Sequence, residues 1–168
     1  MEGKIESFDE YFHAANEVEY HNRLFNFARE SNRIEGITSE QENQRMFQKL
    51  DAFLKLKKLT VDNVCEFNEW GRLRDRIGMN VRVGGRVCPS GGDYIKNELS
   101  LIISRANNGS SIFREPFCIH KAFEELHPFM DGNGRTGRAI WLWQMVNQQG
   151  YDLRRGFLHE FYYQSLSN

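Results

Sequence analysis

A mostly α, single-domain fold is what this sequence predicts, on three observations. Apolar residues recur at helical spacing along nearly the whole chain, strand-like alternation occurs in one short stretch only, and no linker, repeat or low-complexity tract divides it. A chain of 168 residues is the size of one compact domain, able to bury roughly 70% of its unfolded surface. The expected architecture is a bundle of about seven or eight helices with a short β-hairpin.

The elements follow in order. Ser7-Phe8-Asp9-Glu10 has the form of a capping box, and Phe8, Tyr11, Phe12 and Ala15 continue from it at helical spacing. Tyr20, Leu24, Phe27, Ala28 and Ser31 share the face of a second helix, which Gly36 ends. Thr38 is placed to cap a third, striped by Met46, Leu50, Phe53 and Leu54. Thr60 opens another, carrying Val61, Val64, Cys65 and Asn68. Between Asn80 and Pro89, alternation around Gly84-Gly85 predicts a minimal hairpin, which must lean on the helices or on a partner to be stable. Helical spacing resumes with Ile95, Leu99, Ile102 and Ala106, and after Pro116 with Ile119, Phe123 and Leu126. An apolar helix after Arg135, stopping near Gly150, and an aromatic one around Phe157, Phe161 and Tyr162 complete the chain.

Composition narrows the function. Hydrophobic residues at 40% and charged residues at 27% describe an ordinary globular protein and exclude a disordered one. Lys+Arg 22 against Asp+Glu 23 leaves a net charge of −1, so no global basic field favours nucleic acid, and no nucleic-acid partner is expected. Cys65, Cys88 and Cys118 form no CxxC pair and are expected to be free, mostly buried thiols in a reducing compartment. The acidic N-terminus lacks the apolar region of a secretory signal, and the apolar run Ala139–Trp143 is too short to span a bilayer. A soluble, cytoplasmic protein without a membrane partner is the expectation.

The stretch from His127 to Arg138, HPFMDGNGRTGR, carries the chemistry. Pro128 ends one helix, because the residue before proline is pushed out of αR geometry. Gly132 and Gly134 let the backbone turn and present successive N–H groups at the start of the next helix, which is an anion site. The positive end of a helix dipole normally attracts carboxylates. Here Arg135 and Arg138 sit there instead, three residues apart and on one face, which calls for an anion between them, phosphate above all. Asp131, just before the glycines, suits Mg²⁺, which takes one or two carboxylates plus phosphate oxygens. His127 at the mouth of the loop can take a proton from an incoming hydroxyl. Taken singly, each has an ordinary reading: a turn, a turn aspartate, a capping histidine. Together, within twelve residues, they predict nucleotidyl or phosphoryl transfer to a hydroxyl.

These residues resemble the signature of the Fic (filamentation induced by cyclic AMP) family, HPFx[D/E]GNGRxxR, at every defined position. Pro116, His120, the hairpin and Tyr162-Tyr163 are similar to the surrounding Fic domain, and the likeness covers most of the chain. It implies a single Fic domain over residues 1–168 and protein adenylylation: AMP passes from ATP, with Mg²⁺ as cofactor, to a Ser, Thr or Tyr hydroxyl of a protein target. By that resemblance His127 deprotonates the hydroxyl and Asp131 holds Mg²⁺ between the α- and β-phosphates. Gly132, Asn133 and Gly134 line the anion hole, Arg135 binds near the β-phosphate and Arg138 binds the γ-phosphate. Phe129 anchors the loop by burial.

A second motif, Ser31-Asn32-Arg33-Ile34-Glu35-Gly36, resembles the family's inhibitory sequence [S/T]xxxE[G/N]. Ser31 and Glu35 are i,i+4 and share a face of a short helix that Gly36 terminates. The resemblance implies that a helical region over about residues 7–36 blocks the γ-phosphate place by pairing Glu35 with Arg138, as in relatives inhibited by a helix before the core. It also makes the hairpin, about residues 80–88, a flap on which target chains dock through Val81, Arg82, Val83 and Gly84. Three other activities fit the same residues: removal of AMP from a modified target, transfer of UMP or phosphate, and an inactive nucleotide-binding or toxin–antitoxin interaction module. A homodimer is left open.

Overall fold

The computed structural model describes residues 8–109 and 115–148. Six α-helices and one two-stranded hairpin occur among them: α1 (Phe8–Ile34), α2 (Glu40–Leu54), α3 (Val61–Phe67), β1 (Arg82–Val83), β2 (Arg86–Val87), α4 (Asp93–Asn108), α5 (Glu115–Leu126) and α6 (Asn133–Asn147). The mostly helical fold with a hairpin is as the spacing predicts. Ser7, the predicted aromatic helix around Phe157 and the pair Tyr162-Tyr163 lie outside the described residues. No helix among the described residues is long and apolar enough to cross a membrane. The chain forms two compact units whose boundary, between Gln48 and Lys49, falls inside α2.

The first unit holds α1 and the start of α2. The two helices expected between Ser7 and Gly36 are one continuous helix of 27 residues. Between Ala15 and Tyr20 the sequence has no Gly or Pro to break it, and Asn-Glu-Val-Glu costs only tenths of a kcal/mol per residue in a helix. The helix bearing Ser31 and Glu35 is therefore long, not short. Its end is a Schellman motif: Gly36 N–H donates to Arg33 O at 3.0 Å and Ile37 N–H to Asn32 O at 3.0 Å, with Gly36 at φ +76°. The N-cap of α2 is Ser39 and not Thr38, since Ser39 Oγ accepts from Glu42 N–H at 3.4 Å. Buried Asn32 donates to Asn43 Oδ1 and to Glu42 O, both at 3.1 Å, tying the end of α1 to the start of α2. Above that tie, His21 packs on Phe47 with ring centroids 4.3 Å apart.

Gly36 permits a direct check. No atom would meet a Cβ there, so Gly36→Ala costs only the left-handed backbone. The expected loss is about 1 kcal/mol, read as a lower urea midpoint, with Gly36→Asn milder.

The second unit positions the loop. α3 begins with a full capping box, Thr60 Oγ1 accepting from Asn63 N–H at 3.2 Å and Asn63 Oδ1 from Thr60 N–H at 2.7 Å. In the hairpin Arg82 faces Val87 and Val83 faces Arg86. Its turn has positive φ at Gly84, +58°, as the first central residue of a II′ turn requires. The hairpin leans on α5: the Arg86 guanidinium donates to Glu125 O at 3.0 Å and Glu124 O at 3.1 Å, satisfying carbonyls that a helix end leaves open. α6 is buried along nearly its whole length, including Trp141 and Trp143, as expected of a helix surrounded by others. Trp143 Nε1–H donates to Leu56 O at 2.8 Å. Of the cysteines only Cys88 is buried; Cys65 is half-buried and Cys118 exposed, all three being free, so the expectation of mostly buried thiols is corrected.

Candidate active site

The segment 127–138 joins α5 to α6. α5 ends at Leu126, as Pro128 dictates, and His127 makes the last helical bond, N–H to Phe123 O at 2.9 Å. His127 then turns the chain with φ +50°, a left-handed conformation uncommon outside glycine. Phe129 is buried, 1% exposed, with its ring 6.4 Å from that of Phe123, the anchor expected of it. Residues 72–74 run beside 128–130 as a short antiparallel bridge: Arg74 N–H donates to Pro128 O at 2.8 Å and Met130 N–H to Arg72 O at 2.9 Å.

Asn133, 2% exposed, directs its side chain back onto the loop, accepting from Phe129 N–H at 2.9 Å and donating to Phe129 O at 2.8 Å. That reciprocal pair closes residues 129–133 into a rigid turn. Gly132 is the N-cap of α6 at φ +79°, and a Cβ on it would strike Asn68 Oδ1 and Trp70. Glycine is needed there for both reasons. Thr136 N–H reaches Gly132 O at 3.0 Å; helix geometry leaves the N–H groups ahead of it without an intrahelical partner. No side chain caps this end, and no acidic residue lies in its first turn. Asp131, exposed, accepts Gly132 N–H on Oδ1 at 2.7 Å, so the carboxylate is held at the mouth of the turn.

Arg135 and Arg138 are 6% and 4% exposed. The Arg135 guanidinium carbon lies 3.8 Å from the centre of the Trp70 ring, a cation–π stack that fixes its plane. Lys49 Nζ lies 4.8 Å from the same ring and pairs with Glu69 at 3.1 Å. Beside Arg138, His120 is buried at 3% exposure, and burial first, with the Arg138 charge adding to it, pulls its pKa down to about 4. α5 and α6 meet closely at Gly137, where a Cβ would touch Phe123 at 3.0 Å and His120 at 3.2 Å.

The second unit thus brings His127, Asp131, Gly132, Asn133, Gly134, Arg135 and Arg138 together on one loop and the first turns of one helix. Val81, Arg82, Val83 and Gly84 lie on the hairpin pinned to α5. Ser31, Glu35 and Gly36 end α1 in the first unit, Ser31 being buried and Glu35 at the C-cap.

Sequence reasoning missed three residues that shape the loop. Asn68 Nδ2–H donates to Asp131 O at 3.0 Å, Trp70 carries Arg135, and Arg74 is fully buried. Helical spacing places Asn68 on the face of a helix, whereas it is the C-cap of α3. The stretch Asn68-Glu69-Trp70-Gly71 breaks helical spacing with an aromatic next to a glycine, which was a usable signal. Arg74 stands in Arg72-Leu73-Arg74-Asp75-Arg76, where nothing local marks the central arginine as buried.

The family model described as the Fic/DOC family matches residues 47–145, more than half of the chain and the whole of the loop. The protein belongs to the Fic/DOC family, whose members are typically transferases that use ATP and act on protein targets in AMP or related nucleotidyl transfer.

Proposed function

We propose that the protein is a Mg²⁺-dependent protein adenylyltransferase that moves AMP from ATP to a Ser, Thr or Tyr hydroxyl and is restrained by its own Glu35. One observation carries it. An uncapped helix N-terminus with no acidic residue in its first turn is flanked by two arginines almost wholly buried. Guanidiniums gathered at the positive end of a helix dipole make that end a site for an anion, and a triphosphate is an anion that suits it.

In this reading the N–H groups at the start of α6 and the two guanidiniums receive the phosphates. The stack on Trp70 presents Arg135 without rotational freedom. Asp131 suits the metal: one carboxylate oxygen is held by Gly132 N–H and the group is exposed, which fits an ion that takes one carboxylate and fills its shell with water and phosphate. Mg²⁺, when bound, neutralises phosphate charge. His127 removes the proton of the acceptor hydroxyl; the oxygen then bonds to the α-phosphorus and pyrophosphate leaves with the electrons of the broken P–O bond. Catalysis is positioning and charge stabilisation, the terms that dominate phosphoryl chemistry. The hairpin offers strand edges on which an extended target segment can pair by backbone hydrogen bonds. Glu35, set at the C-cap of α1 by the Schellman turn, occupies the γ-phosphate place by pairing with Arg138.

Intact mass after incubation with ATP and Mg²⁺ tests this. Glu35→Gly is expected to gain one or more AMP-sized increments by automodification, wild type far less, and Glu35→Gly/His127→Ala none. Equal incorporation in wild type and Glu35→Gly would remove the restraint; incorporation that survives His127→Ala would remove the base. Supplying the nucleotide labelled at the α- or the γ-phosphate distinguishes AMP transfer from phosphate transfer.

A further inference from the structure

Arg74 is the most fully buried charged side chain among the described residues, 0% exposed, and its guanidinium meets four backbone carbonyls. Nε–H donates to His127 O at 2.7 Å and Nη2–H to Leu126 O at 2.8 Å. Nη1–H donates to Pro89 O at 2.7 Å and Met79 O at 3.1 Å. One edge of the planar fork therefore holds the last carbonyls of α5, where the negative end of the helix dipole favours a cation. The other corner holds the two stems of the hairpin, just before Asn80 and just after Cys88. Its backbone adds two further ties, N–H to Pro128 O at 2.8 Å and O from Gly92 N–H at 2.9 Å.

A buried guanidinium is costly to desolvate, and burial lowers its pKa. Its return is geometric: only arginine places five N–H donors in a fixed plane, and four carbonyls from three separated segments meet them here. Two of those carbonyls belong to the residues that bracket the left-handed turn at His127, a conformation the chain does not adopt for its own sake.

We propose that Arg74 is a positioning residue for the transfer reaction, holding the His127 backbone and both stems of the hairpin in one frame, so that a target strand docked on the hairpin is delivered in register to the imidazole. This rests on the activity proposed above. It assigns Arg74 no contact with ATP, whose expected ligands lie on α6.

The test uses Arg74→Lys, which keeps the charge but not the planar fork, and Arg74→Gln, which removes the buried charge, both in the Glu35→Gly protein. At a temperature where each variant is folded by circular dichroism, the kcat for AMP incorporation is expected to fall about 10²-fold, with the KM for ATP unchanged. A purely structural role would lower the melting temperature and leave kcat per folded molecule alone. An unchanged kcat, a rise in the KM for ATP that accounts for the loss, or failure of both variants to fold at any temperature would each overturn the proposal. A readout independent of activity separates this from failure of the adenylyltransferase reading. In ¹⁵N-histidine spectra, the His127 ring signals, assigned with His127→Ala, should shift in Arg74→Lys while those of His21 stay in place. If Glu35→Gly itself takes no AMP, the reading of the activity fails while the histidine spectrum still decides the role of Arg74.

Discussion

Gly71→Ala is expected to cost about 1–3 kcal/mol of stability and, with it, about 10²-fold in AMP incorporation by the Glu35→Gly protein. A Cβ at this position would lie against the backbone N, O and Cα of Asp131, the last two at 2.8 and 2.9 Å. No rotamer change relieves such a clash, because the obstructing atoms are main chain. Either the strand at 72–74 or the loop at 129–131 must retreat. The bridge between Arg72, Arg74, Pro128 and Met130 ties the two together, so movement of one strains the other. What moves is the segment that holds the Asp131 carboxylate and starts the Gly132 turn, and a displacement of about an ångström at a reacting centre suffices for the kinetic loss. Gly85→Ala is the matched control, with no atom within 4 Å of a Cβ and no positive φ; its stability should stay within about 0.5 kcal/mol of the parent. Thermal melts with AMP incorporation on the same samples decide it. Equal behaviour of the two alanine variants would mean that the loop is not held by this contact.

The loop itself was legible because its instructions are local. Proline after His127, glycine at 132 and two arginines at helical spacing each act on their own backbone or one turn away, and the structure places them where those rules say. The helix stripes of α4 and α5 and the hairpin at Gly84-Gly85 were legible for the same reason. Boundaries were less so. Nothing in propensity distinguishes Thr38 from Ser39 as a cap, and the difference is decided by which hydroxyl meets Glu42 N–H. The division of α1 into two helices followed two separate apolar stripes, although no residue between them favours a break. The shelf beneath the loop was hidden because its parts lie far away in sequence: Asn68 reaches Asp131, Trp70 reaches Arg135, and Arg74 reaches Leu126 and His127. Asn133 illustrates the limit in another way. Its place in the motif suggests a phosphate contact, yet its side chain closes the turn on Phe129, leaving the backbone N–H as its means of meeting an anion.

Acid should weaken the fold through His120, with a sign that follows from its folded pKa of about 4. In the unfolded chain a histidine titrates near 6.5. Above that pH both states hold the neutral ring and its contribution to stability is complete. Between about 6.5 and 4 the unfolded chain takes a proton that the folded chain refuses, so stability falls as pH falls, by about 3 kcal/mol once both values are passed. The cause is burial first; a hydrogen bond to the Gly137 backbone opposes it, and the Arg138 charge, smaller than either, adds to the lowering. Urea unfolding of wild type and His120→Gln at pH 7, 5.5 and 4 isolates this group from the carboxylates that both proteins share. The wild type should lose about 3 kcal/mol more than the variant across that range and the two should run parallel above pH 7; parallel curves throughout would show that the ring is not buried neutral. The ring packs against Gly137, one residue from Arg138, where α5 and α6 approach most tightly. A charge forced onto His120 would stand beside the Arg138 guanidinium without solvent to screen it. Because the folded ring stays neutral until about pH 4, that charge is absent from the site over the window in which stability falls.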